Sequence, residues 1–463
     1  MRRMCVCVCG WRSVDKEKKM AFRTRKPPKI PKGLYHRRIN EGNFRGYRLH
    51  LHVKEDGSGI LVINASRILH LNRTATEFVL YYIEGKDDSE IVSEICKRYW
   101  VRKKEAEKDY KELMKKITTI ATSERIGPEA FVGMNQIEAF TAYTPVPYRS
   151  DIVLTYRCNN HCEHCYVGRE KPFPEMDTDT WKKVLRRIWD IGIPHITFTG
   201  GEPTLREDLP ELISHAEEIG LVTGVITNGR NLTLKLVKDL VDSGLDHIQI
   251  TIESFDRKTH NKMVRAEAWE ETVRGIKNCL ATPLYVLTNT TLTTDNCDEI
   301  EKHVSFLKEI GLRKFAYNSI IYSGNGCTVG TGIREENLGS YVRRIKRKAE
   351  ELDLDFIWYT PTHYCVFDPC VAGVGLKQCS AAKYNIAVEP NGEVIPCQSY
   401  FESMGNILTD PWEEIWNSDL ALYLRNREYR EKKCNECPDL QLCGNGCPLY
   451  NRERESPIFC SKG

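Results

Sequence analysis

Long apolar runs are missing from this 463-residue chain. Its hydrophobic stretches fall well short of the ~20 residues that a membrane-spanning helix needs, so no membrane partner is expected. An excess of one charge is missing too. The 67 Lys and Arg nearly balance 64 Asp and Glu, and the net charge of +3 gives no field argument for a nucleic-acid partner. No low-complexity tract interrupts a globular composition. The N-terminus has Arg2 and Arg3, but the short stretch holding Cys5, Cys7 and Cys9 is too brief for a secretory signal and no cleavage site follows. It reads as a tail, or as translation upstream of a start at Met20. Cysteine is sparse in the middle: residues 199–360 hold only Cys279, Cys297 and Cys327. That argues against a disulfide-stapled secreted scaffold, which is Cys-dense throughout.

What is present is 19 cysteines, most of them in two spaced sets. The first is Cys158-x3-Cys162-x2-Cys165, followed by Tyr166. The second is Cys370, Cys379, Cys397, Cys434, Cys437, Cys443, Cys447 and Cys460. Three neighbouring thiolates hold three irons of a [4Fe–4S] cube and leave the fourth open; eight further thiolates suffice for two closed cubes. Clustered thiols in a large chain without a signal read as metal ligands in a reducing cytoplasm.

The length bounds the chain at about two to four domains. Residues 1–43 are basic and Pro-rich around Lys26-Pro27-Pro28-Lys29 and read as a tail or linker. Residues 44–123 carry three short strands and then three amphipathic helices, an expected small winged-helix-like α+β module. Residues 124–150 contain Pro128, Pro145 and Pro147 and read as a linker. From 151 to 355 strand and helix signals alternate, with strands expected at 152–156, 196–198, 222–226, 248–252, 284–292 and 314–320. Six βα units predict an α/β fold with a partial (β/α)6 TIM-like barrel. Residues 356–463 are Cys-rich and irregular, as where clusters replace a hydrophobic core.

The chemistry-bearing residues fall at the C-terminal ends of the expected strands, where parallel α/β folds place their sites. The first strand runs into the first cysteine set. The second ends in Gly200-Gly201-Glu202-Pro203, whose glycines admit a close ligand and whose Glu202 offers a carboxylate to a cation. Asn228 follows the third strand, and Thr251 and Glu253 lie on the fourth. Residues 151–355 resemble a radical SAM core: Cys158, Cys162 and Cys165 match its CxxxCxxC motif and Gly200–Pro203 its GGEP motif. The resemblance implies S-adenosylmethionine on the open iron and its reductive cleavage to a 5′-deoxyadenosyl radical. Tyr166, Gly200, Gly201, Glu202, Pro203, Asn228, Thr251 and Glu253 are the implied cofactor contacts. Glu253 stands where that family usually has Asp.

Cys379-x12-Gly392-x4-Cys397, then Cys434-x2-Cys437-x5-Cys443-x3-Cys447, then Cys460 resembles the SPASM domain. The resemblance implies one auxiliary cluster on Cys370, Cys379, Cys397 and Cys447 and another on Cys434, Cys437, Cys443 and Cys460. Cys365 is the alternative to Cys370. A zinc-ribbon pair is the competing reading of this set. The N-terminal module, through Leu69-His70-Leu71-Asn72-Arg73-Thr74-Ala75 and Glu84-Gly85, resembles a RiPP recognition element such as the pyrroloquinoline-quinone peptide chaperone. There a leader peptide adds as a strand to the sheet edge. His50, His52 and His70 read as a solvated strand face rather than a metal site, Cys327 as a loop cysteine near the barrel mouth, and His164 as shaping the cluster loop. Anaerobic sulfatase-maturating enzymes carry Asp where this chain has Gln398, which argues against formylglycine formation.

These readings converge on a cytoplasmic radical SAM/SPASM enzyme that modifies a peptide or protein delivered by its N-terminal module. The expected electron donor is ferredoxin or flavodoxin. Two alternatives stand beside it: a radical SAM enzyme for a tetrapyrrole or cofactor precursor, and a non-enzymatic iron–sulfur or zinc protein.

Overall fold

The computed structural model describes residues 5–8, 30–39, 47–63, 67–122, 135–136 and 146–450. The chain divides into two compact units, Arg3–Ala142 and, chiefly, Tyr143–Gly463.

The first unit is built on a six-stranded sheet. Its strands are β1 (Cys5–Val8), β2 (Gly33–Arg38), β3 (Arg48–Val53), β4 (Gly59–Ile63), β5 (Arg67–Leu71) and, after three helices, β6 (Asn135–Gln136), in the order β2-β3-β4-β5-β1-β6. The helices are α1 (Arg73–Ile83), α2 (Asp88–Arg98) and α3 (Lys103–Thr122). Alternation in β3 turns Leu49, Leu51 and Val53 toward Phe78, Val79, Ile91, Ile95, Tyr110 and Ile117, forming one core. Asn72 caps α1 by accepting the Ala75 N–H at 2.9 Å, and Asp87 with Glu90 forms a capping box on α2. The expected tail over 1–43 contains two of these strands. β2 pairs antiparallel with β3 from Gly33↔Val53 to Arg38↔Arg48, and β1 runs parallel to β5. An edge strand needs only one partner and tolerates basic residues, so its composition mimics a linker. The expected linker over 124–150 likewise contains β6 and the start of the next strand.

The second unit alternates β7 (Arg149–Thr155), α4 (Thr178–Ile191), β8 (His195–Gly200), α5 (Leu209–Ile219), β9 (Val222–Thr227), α6 (Leu234–Asp242), β10 (His247–Thr251), α7 (Arg257–Val264), α8 (Trp269–Leu280), β11 (Tyr285–Leu292), α9 (Ile300–Glu309), β12 (Lys314–Ser319), α10 (Glu335–Glu351) and β13 (Asp355–Trp358). The six expected strands are all present within two or three residues. β13, at the expected domain boundary, adds a seventh parallel strand.

The Cys-rich region supplies β14 (Asn385–Val388), β15 (Glu393–Ile395) and β16 (Gly405–Asn406). β14 pairs in parallel with β7, from Asn385↔Arg149 to Val388↔Ile152. One ten-stranded sheet therefore runs β13-β12-β11-β10-β9-β8-β7-β14-β15-β16. The outer face of the partial barrel packs Ile152, Leu154, Ile196, Phe198, Ile248 and Ile250 against Trp181, Leu185, Leu212 and Ile276 of the helices. Register places Asp151, Thr197 and Gly224 on the opposite, inner face, and Thr251, Asn289 and Ala316 likewise. Among the described residues no helix is long and apolar enough to cross a membrane.

Candidate functional site

Strand β7 ends at Thr155, and the loop that follows carries Cys158, Cys162 and Cys165. The loop is held from several sides. The N–H groups of His161 and Glu163 donate to the Val264 and Met263 carbonyls at 3.0 and 2.9 Å, at the end of α7. From the turn after β12, the Asn325 N–H donates to the Cys165 carbonyl at 2.8 Å and its amide to the Cys162 carbonyl at 3.2 Å. That turn needs Gly324, at φ +53°, because a Cβ there would meet the Cys165 and Tyr166 backbone at 2.8 Å. Arg230, just past β9, donates to the Asn159 carbonyl and to Asn160 Oδ1 at 3.0 Å, while Glu271 holds its Nε at 2.6 Å.

Burial raises all three thiols, and Cys162 most, with the charges of Cys165, Glu253 and Cys158 adding to it. Three mutually repelling buried thiols become thiolates when cations offset that cost. The Asn160 N–H already points at Cys158 Sγ, 3.4 Å away. Among the described residues no three His, Cys, Asp or Glu groups converge as ligands of a single ion. A cube differs, since each thiolate takes its own iron. The donor set fits a [4Fe–4S] cluster with one open iron.

Several of the implied cofactor contacts adjoin this loop, and most of those are committed to protein partners. The Glu202 carboxylate, fully buried, accepts from Thr204 N–H and Oγ1, from Thr227 Oγ1 at 2.7 Å and from the Asn228 N–H at 2.7 Å. Burial raises its pKa although these donors oppose the rise. It ties the end of β8 to the end of β9. Gly200 and Gly201 are demanded by packing: an added Cβ would lie 2.1 Å from the Thr155 carbonyl and 2.3 Å from that of Arg157. The glycines thus admit the end of β7 itself, where the sequence suggested a ligand. Pro203 opens the short 3₁₀ turn after Glu202.

Glu253, 1 % exposed, places Oε1 3.0 Å from His164 Nε2, and its Oε2 accepts the Thr291 N–H at 2.7 Å. Burial opposes charge on His164, but Glu253 and Glu163 raise it overall. His164 therefore shapes the cluster loop as expected, and Glu253 is its anchor. The Asn228 amide donates to Asn159 Oδ1 at 2.6 Å. Burial, then Cys165 and Asp151, raise the Tyr166 hydroxyl, while Thr199 opposes the rise. Thr251 is paired in register with Asn289 on the inner face. Sequence reasoning passed over Arg230, Asn159, Asn160 and Asn325. Their signal was adjacency: Arg230 follows Asn228-Gly229, and Asn325 lies in the Ser323–Cys327 turn, noted for Cys327 alone.

The later cysteines fall into two neighbourhoods. Burial lifts Cys379 strongly, and the charges of Cys447 and Cys397 add to the rise. Cys397 is pushed up to about 12 by burial, with Cys447 and Asp151 contributing. Cys434 is raised by burial, then by Glu431, Cys365 and Cys443. Cys370 is exposed, and its charge adds to the rise that burial gives the Tyr364 hydroxyl. Cys460 lies outside the described residues. Gln398 has its Oε1 buried without a hydrogen-bond partner. The cysteines from Cys96 to Cys447 form no disulfide. One expectation fails in the N-terminal unit: His50 and His70 are 3 % and 8 % exposed, not solvated. Burial, with Lys54 second, lowers His52 and His70 to about 4.

Residues 152–307 match the Radical SAM superfamily, and residues 379–438 match SPASM, an iron–sulfur cluster-binding domain. The chain is 26 % identical over 329 residues to the PqqA peptide cyclase of Bradyrhizobium diazoefficiens, covering 65 % of this chain and 81 % of that protein. It is 25 % identical over 312 residues to the PqqA peptide cyclase of Streptomyces rochei, covering 64 % and 83 %. Its fold is similar to Streptococcus suis SuiB bound to the precursor peptide SuiA, with a TM-score of 0.64, 17 % identity, and 93 % and 97 % of the two chains covered. It is also similar to anSMEcpe with bound AdoMet, with a TM-score of 0.51, 16 % identity, and 65 % and 89 % covered. This chain carries a radical SAM domain followed by a SPASM iron–sulfur cluster-binding domain.

Proposed function

We propose that this chain is a radical SAM enzyme that modifies a peptide or protein substrate, a maturase of RiPP type. The observation that carries the reading is the clamped loop of Cys158, Cys162 and Cys165 at the mouth of a barrel whose inner face bears amides. A [4Fe–4S] cluster on these thiols with S-adenosylmethionine on its open iron supplies, when bound, one-electron sulfonium cleavage and a carbon radical able to abstract hydrogen.

The chain's own residues do the rest. His164 with Glu253, Arg230 with Asn159 and Asn160, and Asn325 keep the loop in one geometry. Glu202 keeps the two strand ends beside it in register. Thr251, Asn228 and Tyr166 are the side chains proposed for the methionine and ribose groups, while the 200–203 segment is committed to the ends of β7 and β9. Inside the barrel the Asn289 amide donates to Asn318 Oδ1 at 2.7 Å, while Asn289 Oδ1 is buried without a hydrogen-bond partner. A buried unsatisfied acceptor suits a substrate N–H, such as a peptide amide.

The two later cysteine neighbourhoods would hold auxiliary clusters, one on Cys370, Cys379, Cys397 and Cys447 and one on Cys434, Cys437, Cys443 and Cys460. When bound, these clusters would supply a place for the surplus electron, with ferredoxin or flavodoxin as the proposed external donor. The peptide reading also has support in the N-terminal unit. There β1 of the same chain pairs in parallel beside β5, outside the β2–β5 meander, so a leader strand would take the place of β1 and β6 or add at the far edge, β2. A cytoplasmic location is part of the same proposal, since clustered thiolate ligands call for a reducing compartment.

The test is anaerobic co-expression with each short open reading frame beside the gene, followed by peptide mass spectrometry. Loss of two hydrogens from one peptide is expected, as from a cross-link or oxidation. Unchanged peptides from a protein that still cleaves S-adenosylmethionine would favour a small-molecule substrate.

A further inference from the structure

In the N-terminal unit, β2 to β5 form a continuous antiparallel meander. A meander has two edges. The outer edge of β2 carries His36 and Arg37, both exposed, and charge of this kind keeps an edge strand unpaired. β5 has no such guard past Arg67, since Ile68, Leu69 and Leu71 are apolar. His70 does not supply one, because burial, with Lys54 second, lowers it to about 4.

That second edge is filled from within the chain. β1 lies parallel to β5, in register from Cys5↔Ile68 to Val8↔Leu71. β6 closes the other side of β1, antiparallel, at Val6↔Gln136 and Cys7↔Asn135. β1 reads Cys5-Val6-Cys7-Val8, an uncharged run whose β-branched valines suit a strand. We propose that β1 is a built-in occupant of this unit's peptide-docking edge, which a peptide substrate reaches only by displacing it.

Strand addition uses the main-chain N–H and C=O groups of a sheet edge, and β1 already takes those of β5. A strand of the same chain competes at high effective concentration. Yet β1 is four residues long and β6 two, so a longer extended peptide gains more ladder bonds on the same edge. The occupant thus sets a threshold. Weakly pairing strands are kept off, and a peptide that pairs along all of β5 and also fills side-chain pockets is admitted. An edge occupied about nine-tenths of the time binds an external peptide about tenfold more weakly than an open one. Opening leaves β5 itself anchored. It stays paired with β4 from Gly59↔Leu71 to Ile63↔Arg67, and it runs directly into Asn72, whose side chain accepts the Ala75 N–H at 2.9 Å.

This inference rests on the reading of the chain as a peptide-modifying enzyme, and the experiment separates the two. Three proteins are compared: the full chain, the chain begun at Met20, and the full chain carrying Val6→Pro and Cys7→Pro. Neighbouring N–H groups of a strand point to opposite edges, so the double proline removes one donor toward β5 and one toward β6. The probe is a fluorescein-labelled synthetic peptide of residues 1–12, kept reduced, with binding read by anisotropy. Hydrogen exchange is followed over residues 67–71. The chain begun at Met20 and the proline variant are each expected to bind the probe about tenfold or more tightly than the full chain. Their β5 amides are expected to exchange faster than in the full chain and to slow when the probe is added. Equal binding by the full chain and the chain begun at Met20 overturns the proposal, as does no binding by the latter. That comparison decides whether or not the proline variant folds. Co-expression with the neighbouring short reading frames tests the enzymatic reading separately. A modified peptide together with equal probe binding sinks the displacement alone, and tighter probe binding by the chain begun at Met20 upholds the displacement even where no peptide is modified.

Discussion

Replacing Glu253 by Ala tests how the cluster loop is held. The carboxylate is buried, lies 3.0 Å from His164 Nε2 and accepts the Thr291 N–H at 2.7 Å. Alanine leaves both donors buried without this partner. Breaking a buried charged pair from one side costs about 3–5 kcal/mol, a large part of a total stability of about 5–15 kcal/mol. With an unfolding entropy of ~2.1 cal/mol/K per residue, a unit of this size should melt roughly 5–8 °C lower. Glu253→Gln keeps an oxygen for Thr291 and loses only the charge facing His164, so it should lose about 1–3 kcal/mol. Glu253→Asp, the residue usual in the family resembled, is one methylene shorter and should reach only one of the two partners. Thermal melting of the apo chain measures the first effect, and iron retained after desalting measures loop order. A Glu253→Ala protein that melts within about 1 °C of wild type and retains its iron would refute the anchoring role.

Three further outcomes are expected. Glu389 accepts from Tyr156 Oη at 2.7 Å and from Arg169 at 2.7 and 2.6 Å; Glu389→Ala should therefore lose about 2–4 kcal/mol in denaturant unfolding, and a loss under about 0.5 kcal/mol would show that this tie does not hold β7 to the Cys-rich region. His52 and His70 titrate at about 4 in the fold but at about 6.5 unfolded, so protonation favours unfolding: stability present above about pH 6.5 should fall by roughly 3 kcal/mol per histidine as pH drops to about 4. Hydrogen exchange over residues 47–122 checks this, with faster exchange expected at acid pH after correction for intrinsic rates, and a pH-independent opening contradicting it. Gly201→Ala drives a Cβ to within 2.3 Å of the Arg157 carbonyl, so the loop should shift and the protein should lose about four irons, while full iron loading would show that the loop tolerates the crowding.

Much of the barrel was legible because its strands are near-continuous apolar runs ending in polar residues, as at Ile152 to Thr155 and Phe198 to Gly200. The proposal for Cys158, Cys162 and Cys165 came from their spacing together with the Gly200–Pro203 segment on the next strand, and the structure places all three in one loop after β7. Strand β13 was missed because Asp355–Trp358 is only four residues long and follows Asp353 in a left-handed conformation. β14 was missed because its pairing with β7 is long-range, and nothing local in Asn385–Val388 names a partner 236 residues away, as in the Arg149–Asn385 contact. The roles of Glu202 and Glu253 were invisible for a related reason: a buried carboxylate reads as a ligand until its donors Thr227, Asn228, Thr291 and His164 are seen to converge on it. β2 was hidden by its basic side chains, which an edge strand tolerates.

Cys158, Cys162 and Cys165 are the residues proposed to carry the chemistry. The most direct test of that proposal is anaerobic incubation of the reconstituted chain with S-adenosylmethionine and dithionite, reading 5′-deoxyadenosine by chromatography. The wild type should form it, and the variant with all three cysteines replaced by Ala should form none while keeping the iron of the later cysteines. An iron-loaded wild type that forms no 5′-deoxyadenosine, or a triple variant that forms as much as wild type, would contradict the account.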